Sequence, residues 1–431
     1  MTSAVSTPLH RLPNVVPFIA FRVFFNLRFY YPVFALLFLD FGLTLSQFAA
    51  SNLVWAVAIV LLEVPSGALA DIVGRKKLVV LAALLMLCEM GVLLVAKPEP
   101  GAQLLLLFCL NRLLSGAGEA MASGADEALV YDALQESGQE KRWSEVLEWQ
   151  TRLSSVAFFV AMLAGAAVYD PDVLNTVAGW FGSDWHFVKQ DTLKYPIWLT
   201  LGSGVLALFS SLALGSDQVT GASENPWAQV KEVGQRLLAS KPLMAVVLGA
   251  VLFDQAARTS LTMSSKTYAS YGIDEGWFGV IGAVLGLSGA VISGRARKLA
   301  EGSTKGRVFQ LLVALSLVGL LGQAASGTPL GLGFVFLLSV VMSLIGFFSS
   351  YYLNQLANSR ERATLLSFKG LLCNLGFGLI SLYYSAVSAV WIKKGGAEEY
   401  LHSLFSLPAY FLVALIVYIA WYRLSTPRSH R

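Results

Sequence analysis

Apolar residues in this 431-residue chain come in twelve long unbroken runs, near 16–39, 45–69, 77–97, 102–123, 147–169, 193–214, 242–263, 276–296, 308–326, 330–352, 365–390 and 405–423. Each is close to the roughly twenty residues a helix needs to cross the hydrocarbon core of a bilayer. Only helices or closed barrels can do so, because unpaired backbone groups are too costly in lipid, and barrel strands would alternate apolar with polar positions. The continuous runs therefore predict an all-α membrane protein with twelve transmembrane helices. The polar stretch Gly215 to Ser240, which carries Asp217, Glu224, Lys231, Glu232 and Arg236, falls between the sixth and seventh runs. It predicts an N-terminal six-helix bundle over 1–214, a cytoplasmic central loop over 215–240 and a C-terminal six-helix bundle over 241–431. Within the loop, Trp227, Val230, Val233, Leu237 and Leu238 share one helical face, which suits a helix lying along the membrane surface.

Composition sharpens this picture. The chain is 56% hydrophobic and 13% charged, with a mean hydropathy of +0.63, whereas soluble domains are nearer one quarter charged. That excludes a water-soluble enzyme. A net charge of +4 from 31 basic and 27 acidic residues is too slight for a nucleic-acid binder. The placement of the basic residues is more telling: nineteen fall on the side that carries both termini, six on the other, and six inside the runs. The excess of Lys and Arg on the cytoplasmic side of membrane proteins puts both termini in the cytoplasm, and the expected location is a bacterial cytoplasmic (inner) membrane, crossed many times. The first fifteen residues carry only Arg11, and the apolar stretch after them lacks a small-residue cleavage site, so it reads as a retained first span. Cys88, Cys109 and Cys373 sit singly inside apolar runs, and His10, His186, His402 and His430 lie in tails or loops. No metal site or cofactor is expected from them. No GxxxxGK[ST] loop is present, which removes a nucleotide-driven pump from consideration.

Between the second and third runs stands Gly67-Ala-Leu-Ala-Asp71-Ile-Val-Gly74-Arg75-Lys76-Lys77. Gly67 allows close helix approach, Asp71 is placed to end a helix at the cytoplasmic surface, Gly74 permits a tight turn, and Arg75 offers a fork to a carboxylate. The stretch resembles the signature loop, GxLaDrxGrkxxl, of the major facilitator superfamily of secondary transporters. Two further segments strengthen the likeness. Arg112-Leu-Leu-Ser-Gly116-Ala-Gly118-Glu119-Ala120 resembles the RxxxGxG pattern of proton-coupled members, and Arg362-Ala-Thr-Leu-Leu-Ser367 resembles the RATxLS segment of exporter-like members. Gly289-Ala-Val-Ile-Ser293-Gly-Arg295 looks like a decayed second copy of the loop, with Ser293 in place of the aspartate. The resemblance implies two pseudo-symmetric halves with the substrate site between them at the bilayer midplane. It also implies that Gly67, Asp71, Gly74 and Arg75 form a cytoplasmic latch, with Asp126 as the partner of Arg75. One departure is that the fifth run has a single glycine between Leu153 and Val168, Gly165, and no proline, unlike many drug antiporters.

Charges at membrane depth are costly and are functional suspects by default. Arg112 lies near the middle of the fourth run, with Glu119 two turns further on the same face. A carboxylate there can exchange a proton as its hydration changes, or it can bridge to another helix. Asp254 and Arg258 are four residues apart and can pair, either permanently or until substrate or a proton arrives. Arg28 falls midway along the first run, so Asn26, Arg28 and Tyr30 become cavity candidates on the strength of the resemblance; a packed structural arginine is the alternative. Glu63 is expected to tie to Arg152, and Arg22 and Lys369 to snorkel toward the cytoplasmic surface. Glu89 has no assignment. The resulting expectation is a secondary transporter of a small organic solute, a monomer in a lipid bilayer, exporting by exchange with protons. Three buried arginines against two carboxylates keep open an uptake symporter for an organic anion. A receptor or assembly factor on the same fold is the third possibility, and it would need lost cavity charges and a long extramembrane domain.

Overall fold

Among the described residues, all the elements of the computed structural model are helices, as the cost of unpaired backbone in lipid requires. The structure describes residues 8–215, 226–356, 362–392 and 396–425. Eleven helices among them are long and apolar enough to cross a membrane, and a twelfth, shorter apolar stretch, Gly276–Leu287, belongs to the helix Gly276–Gly302. In chain order the spans are Val15–Asp40 (span one), Leu45–Val73 (two), Arg75–Val95 (three), Ala102–Ala122 (four), Trp143–Tyr169 (five), Tyr195–Leu212 (six), Lys241–Thr262 (seven), Gly276–Gly302 (eight), Lys305–Ala325 (nine), Leu332–Leu356 (ten), Arg362–Trp391 (eleven) and Ser406–Leu424 (twelve). The fold class is the one the hydropathy pattern predicts.

Three details differ from that pattern, each for a local reason. Span one is two helices, Val15–Asn26 and Phe34–Asp40, joined through a 3-10 turn at Tyr31–Val33. The first helix ends at Asn26, Arg28 lies in the non-helical interval after it, and Pro32, which has no amide to donate, falls in the turn that leads into the second helix. Span four stops at Ala122, because Gly124 takes a positive φ of 77° that starts the separate helix Ala125–Glu136. The signature segment is almost wholly helical: span two runs on to Val73, and the turn into span three is the single residue Gly74, at φ 106°. Asp71 thus lies inside the last turn of span two rather than ending it. The surroundings of Gly67 and the side chain of Asp71, and likewise the surroundings of Gly289 and the side chain of Ser293 in the decayed copy, lie outside the described residues.

By contact the chain forms two compact units, residues 1–32 with 58–223, and 33–57 with 224–431. In the first unit, span three packs on spans four and six, and the first helix of span one on spans five and six. Its core includes Phe18, Phe21, Val79, Ala82 and Val146. In the second, span seven is central, packing on spans ten, eleven and twelve. The central helix Pro226–Ala239 buries Val233 and Leu237 against Leu243, Val247, Leu353 and Leu365 of the second unit, leaving Leu238 74% exposed. That half of the apolar face is therefore covered by protein instead of lying along a membrane surface; the side chains of Trp227 and Val230 lie outside the described residues. Val413, Ile416 and Val417 of span twelve are exposed, the outward apolar face a lipid-bathed helix presents.

Candidate functional site

The interruption of span one organises the polar interior of the first unit. Residues 27 to 30 leave the helix, and the backbone groups released there must find partners. Side chains of span six meet two of them: Ser203 Oγ donates to the Leu27 carbonyl at 2.9 Å, and the Phe29 amide donates to Thr200 Oγ1 at 3.0 Å. The Phe29 carbonyl packs directly on span five at Gly165, where an added Cβ would stand 1.7 Å from the oxygen. The lone glycine of span five is thus the point of backbone contact with the break.

This geometry delivers Arg28 and Tyr30 to one acceptor. Arg28, 3% exposed, donates from Nη1 to Glu89 Oε2 at 2.7 Å and from Nε to the Phe25 carbonyl at 3.2 Å. The Tyr30 hydroxyl donates to Glu89 Oε1 at 3.2 Å. Asn111 of span four holds the Glu89 carbonyl at 3.0 Å, and the Arg28 guanidinium lies 5.4 Å over the Phe25 ring. Arg112 is buried beside the group and feels the charge of Glu89 and Arg28. Glu119, half-buried, interacts electrostatically with Arg28, Glu89, Arg22 and Arg112, and its carboxylate makes no hydrogen bond or ion pair among the described residues. Asn26 stays outside the cluster; it is exposed and donates to the Arg22 carbonyl at 2.8 Å. Glu89 is the residue the sequence reading left unplaced. Its signal was plain, a single acid in an otherwise apolar span, but nothing in the sequence said which donors reach it.

A second cluster lies in the second unit. Arg258 donates to Asp254 at 2.6 Å, one helical turn away, and its other amino group reaches Asn374 Oδ1 of span eleven at 2.9 Å. Its guanidinium lies 5.6 Å from the centre of the Phe377 ring. The second Asp254 oxygen is buried without a hydrogen bond among the described residues. Asp254 and Arg258 pair as their spacing suggests; Asn374, which pins the arginine, carries no charge to betray it.

At the end of the first unit that bears Gly74, the ion pairs differ from the expected ones. Arg75 pairs with Asp132, not with Asp126. Asp126, fully buried, is held by Arg22 at 2.5 Å, and Arg22 also reaches Glu127 at 2.5 Å. The break at Gly124 explains the exchange: it restarts the helix so that Asp126 sits in the first turn, facing the first helix of span one, while Asp132 lies a turn and a half further on. Arg22 therefore anchors a carboxylate rather than snorkelling. Glu63 does not meet Arg152, which is 74% exposed and pairs with Glu148. Among the described residues no group of three or more His, Cys, Asp or Glu could hold a metal ion.

The sequence profile of the Major Facilitator Superfamily matches residues 18–381. No curated relative matches the sequence. Among solved structures, that of the nucleoside transporter NupG is similar, with a TM-score of 0.72 and 13% identity over 95% of this chain and 98% of that one. A bacterial homolog of the human lysosomal transporter Spinster, inward-facing and unoccupied, aligns with a TM-score of 0.71 and 15% identity, covering 95% of this chain and 96% of its own. A D-xylose-proton symporter aligns at 0.64 and 13% identity, covering 93% of this chain and 95% of its own. At such identities the likeness extends to the fold and not to the cargo.

Proposed function

The chain belongs to the Major Facilitator Superfamily, and from that premise we propose that it is a secondary transporter that moves a small organic solute outward by alternating access, in exchange for protons. The observation that carries this reading is the juxtaposition of the Arg28–Glu89–Tyr30 cluster at a broken helix with Glu119, a carboxylate within electrostatic reach of it that has no hydrogen-bond partner among the described residues. A discontinuous span offers fixed polar groups at membrane depth, and a carboxylate that is hydrated in one conformation and dry in another binds and releases a proton. Asp254, with one oxygen paired to Arg258 and one unpaired, is a second proton-binding candidate. Arg28, Tyr30, Arg112 and Arg258 are the groups we assign to the solute side, and Gly67, Asp71, Gly74 and Arg75 to the latch, where Arg75 works through Asp132. Outward direction rests on the exporter-like Arg112–Glu119 and Arg362–Ser367 segments. The alternative of an organic-anion symporter is weakened, because Arg28 and Arg258 are each held by a carboxylate.

The test is a solute panel in proteoliposomes under an imposed pH gradient, with wild type and Glu119→Gln. The variant is expected to lose at least about tenfold of gradient-driven accumulation while it still exchanges solute across membranes without a gradient. Gradient-driven accumulation at the wild-type level in Glu119→Gln would remove that residue from the coupling mechanism, and no response of any solute to the gradient in the wild type would remove proton coupling altogether.

A further inference from the structure

A cavity of about 600 Å³ opens within the second unit, between spans seven, nine, ten and twelve. It extends along span seven from Lys241 to Phe253, a depth of roughly 18 Å at the rise of an α-helix. Its walls are apolar, formed by Val246, Ala250, Phe253, Phe309, Leu312 and Phe348. Its mouth is cationic: Lys241 and Lys305 stand at the first residues of spans seven and nine, and Arg423 lies in the last turn of span twelve. No carboxylate is among the described residues that line it. Lys241 donates to the Tyr422 carbonyl at 2.8 Å and lies 4.3 Å over that ring, and Lys305 lies 5.2 Å over the ring of Tyr352. The Tyr352 hydroxyl is buried and has no hydrogen-bond partner among the described residues.

We propose that this cavity binds an anionic phospholipid, with its phosphate among Lys241, Lys305 and Arg423, the Tyr352 hydroxyl donating to it, and one acyl chain along the apolar wall. Lys241, Lys305 and Arg423 at one mouth together attract an anion. An inorganic anion would neutralise them but would leave the deep apolar volume empty, whereas a soluble organic solute would find few polar partners on walls of Val, Ala, Leu and Phe. An amphiphile with an anionic head satisfies both ends, and basic pockets between helices at the cytoplasmic face are suited to such headgroups. The inference uses the cytoplasmic placement of this end argued from the distribution of Lys and Arg, and it does not depend on the transport reading.

Native mass spectrometry of the purified full chain tests it, with phosphatidylglycerol and phosphatidylcholine of equal chain length supplied in equal amounts. The wild type is expected to retain phosphatidylglycerol about tenfold or more over phosphatidylcholine. Lys241→Ala with Lys305→Ala and Arg423→Ala should bring the two to parity. Ala250→Trp, which fills the cavity and leaves every charge in place, should lower phosphatidylglycerol retention by a similar factor, and it keeps the test decisive if the triple variant fails to fold. Millimolar inorganic phosphate should not displace the lipid. Equal retention of the two lipids by the wild type, unchanged retention by Ala250→Trp, or displacement by inorganic phosphate would each overturn the proposal, the last by reducing the site to a simple anion site.

Discussion

Glu89 sits alone among apolar neighbours in span three, yet it accepts from Arg28 and Tyr30, with Asn111 on its own carbonyl. A buried ion pair contributes little net stability, but removing one partner strands the other charge, which costs about 3–5 kcal/mol. Glu89→Ala should therefore lower the unfolding midpoint of the detergent-solubilised protein sharply, whereas Arg28→Met combined with Glu89→Met should restore most of it, since both charges leave together. Thermal unfolding of the two variants decides this; a Glu89→Ala protein as stable as the wild type would mean that Arg28 is not committed to that carboxylate. The double variant also separates two roles. If it is stable yet does not transport, the cluster handles solute; if it transports, the cluster is scaffolding. At this scale the sequence was legible where pairing is local. Asp254 and Arg258, four residues apart, announced themselves, whereas Arg28 and Glu89 are separated by 61 positions, Arg22 and Asp126 by 104, and Arg258 and Asn374 by 116. No periodicity connects positions that far apart, so the charges could be flagged but not matched.

The elements themselves were well marked, because a span announces itself by twenty apolar residues and a turn by glycine or proline. What hydropathy averaged away was the break in span one, where a short polar interval and Pro32 are diluted by flanking aromatic and aliphatic residues. The break is held open from outside, by Ser203 and Thr200 of span six and by the close approach of span five at Gly165. That approach leads to a specific expectation for Gly165→Ala. The new methyl would meet Phe29 backbone atoms at 1.7, 2.7 and 3.2 Å, none of them able to swing aside as a flexible side chain can. Spans one and five would have to separate, at a cost of about 1–3 kcal/mol or more, and Arg28 would move with them. Gly202→Ala is the matched control: it lies next to Ser203 in span six and has nothing within 4 Å of the added carbon, so its change should stay within about 0.5 kcal/mol. Equal unfolding midpoints for the two variants would show that the break is not braced by span five. The central helix shows the opposite limit, since its apolar face was visible in the sequence but the surface that covers Val233 and Leu237 was not.

Across the whole molecule, composition and charge distribution carried more than any single motif. Nineteen of the 31 basic residues fall on one side and six on the other, and because each Lys or Arg resists transfer across the bilayer, such an imbalance sets the orientation during insertion. Orientation then determines how every other feature is read: which side carries the Arg75–Asp132 pair proposed as a latch, which compartment would hydrate Glu119 first in the proposed exchange, and which leaflet meets Lys241, Lys305 and Arg423. It can be checked without knowing the solute. Alkaline phosphatase folds only outside the cytoplasm, so a fusion after Leu424 should be inactive, while green fluorescent protein at the same point should fluoresce. A phosphatase fusion after Gly182, in the segment between spans five and six, should be active. The reverse pattern would invert the molecule. It would place the cationic cavity against the outer leaflet, and it would move the Arg75–Asp132 pair to the outer side, so a latch on the cytoplasmic side would have to be abandoned.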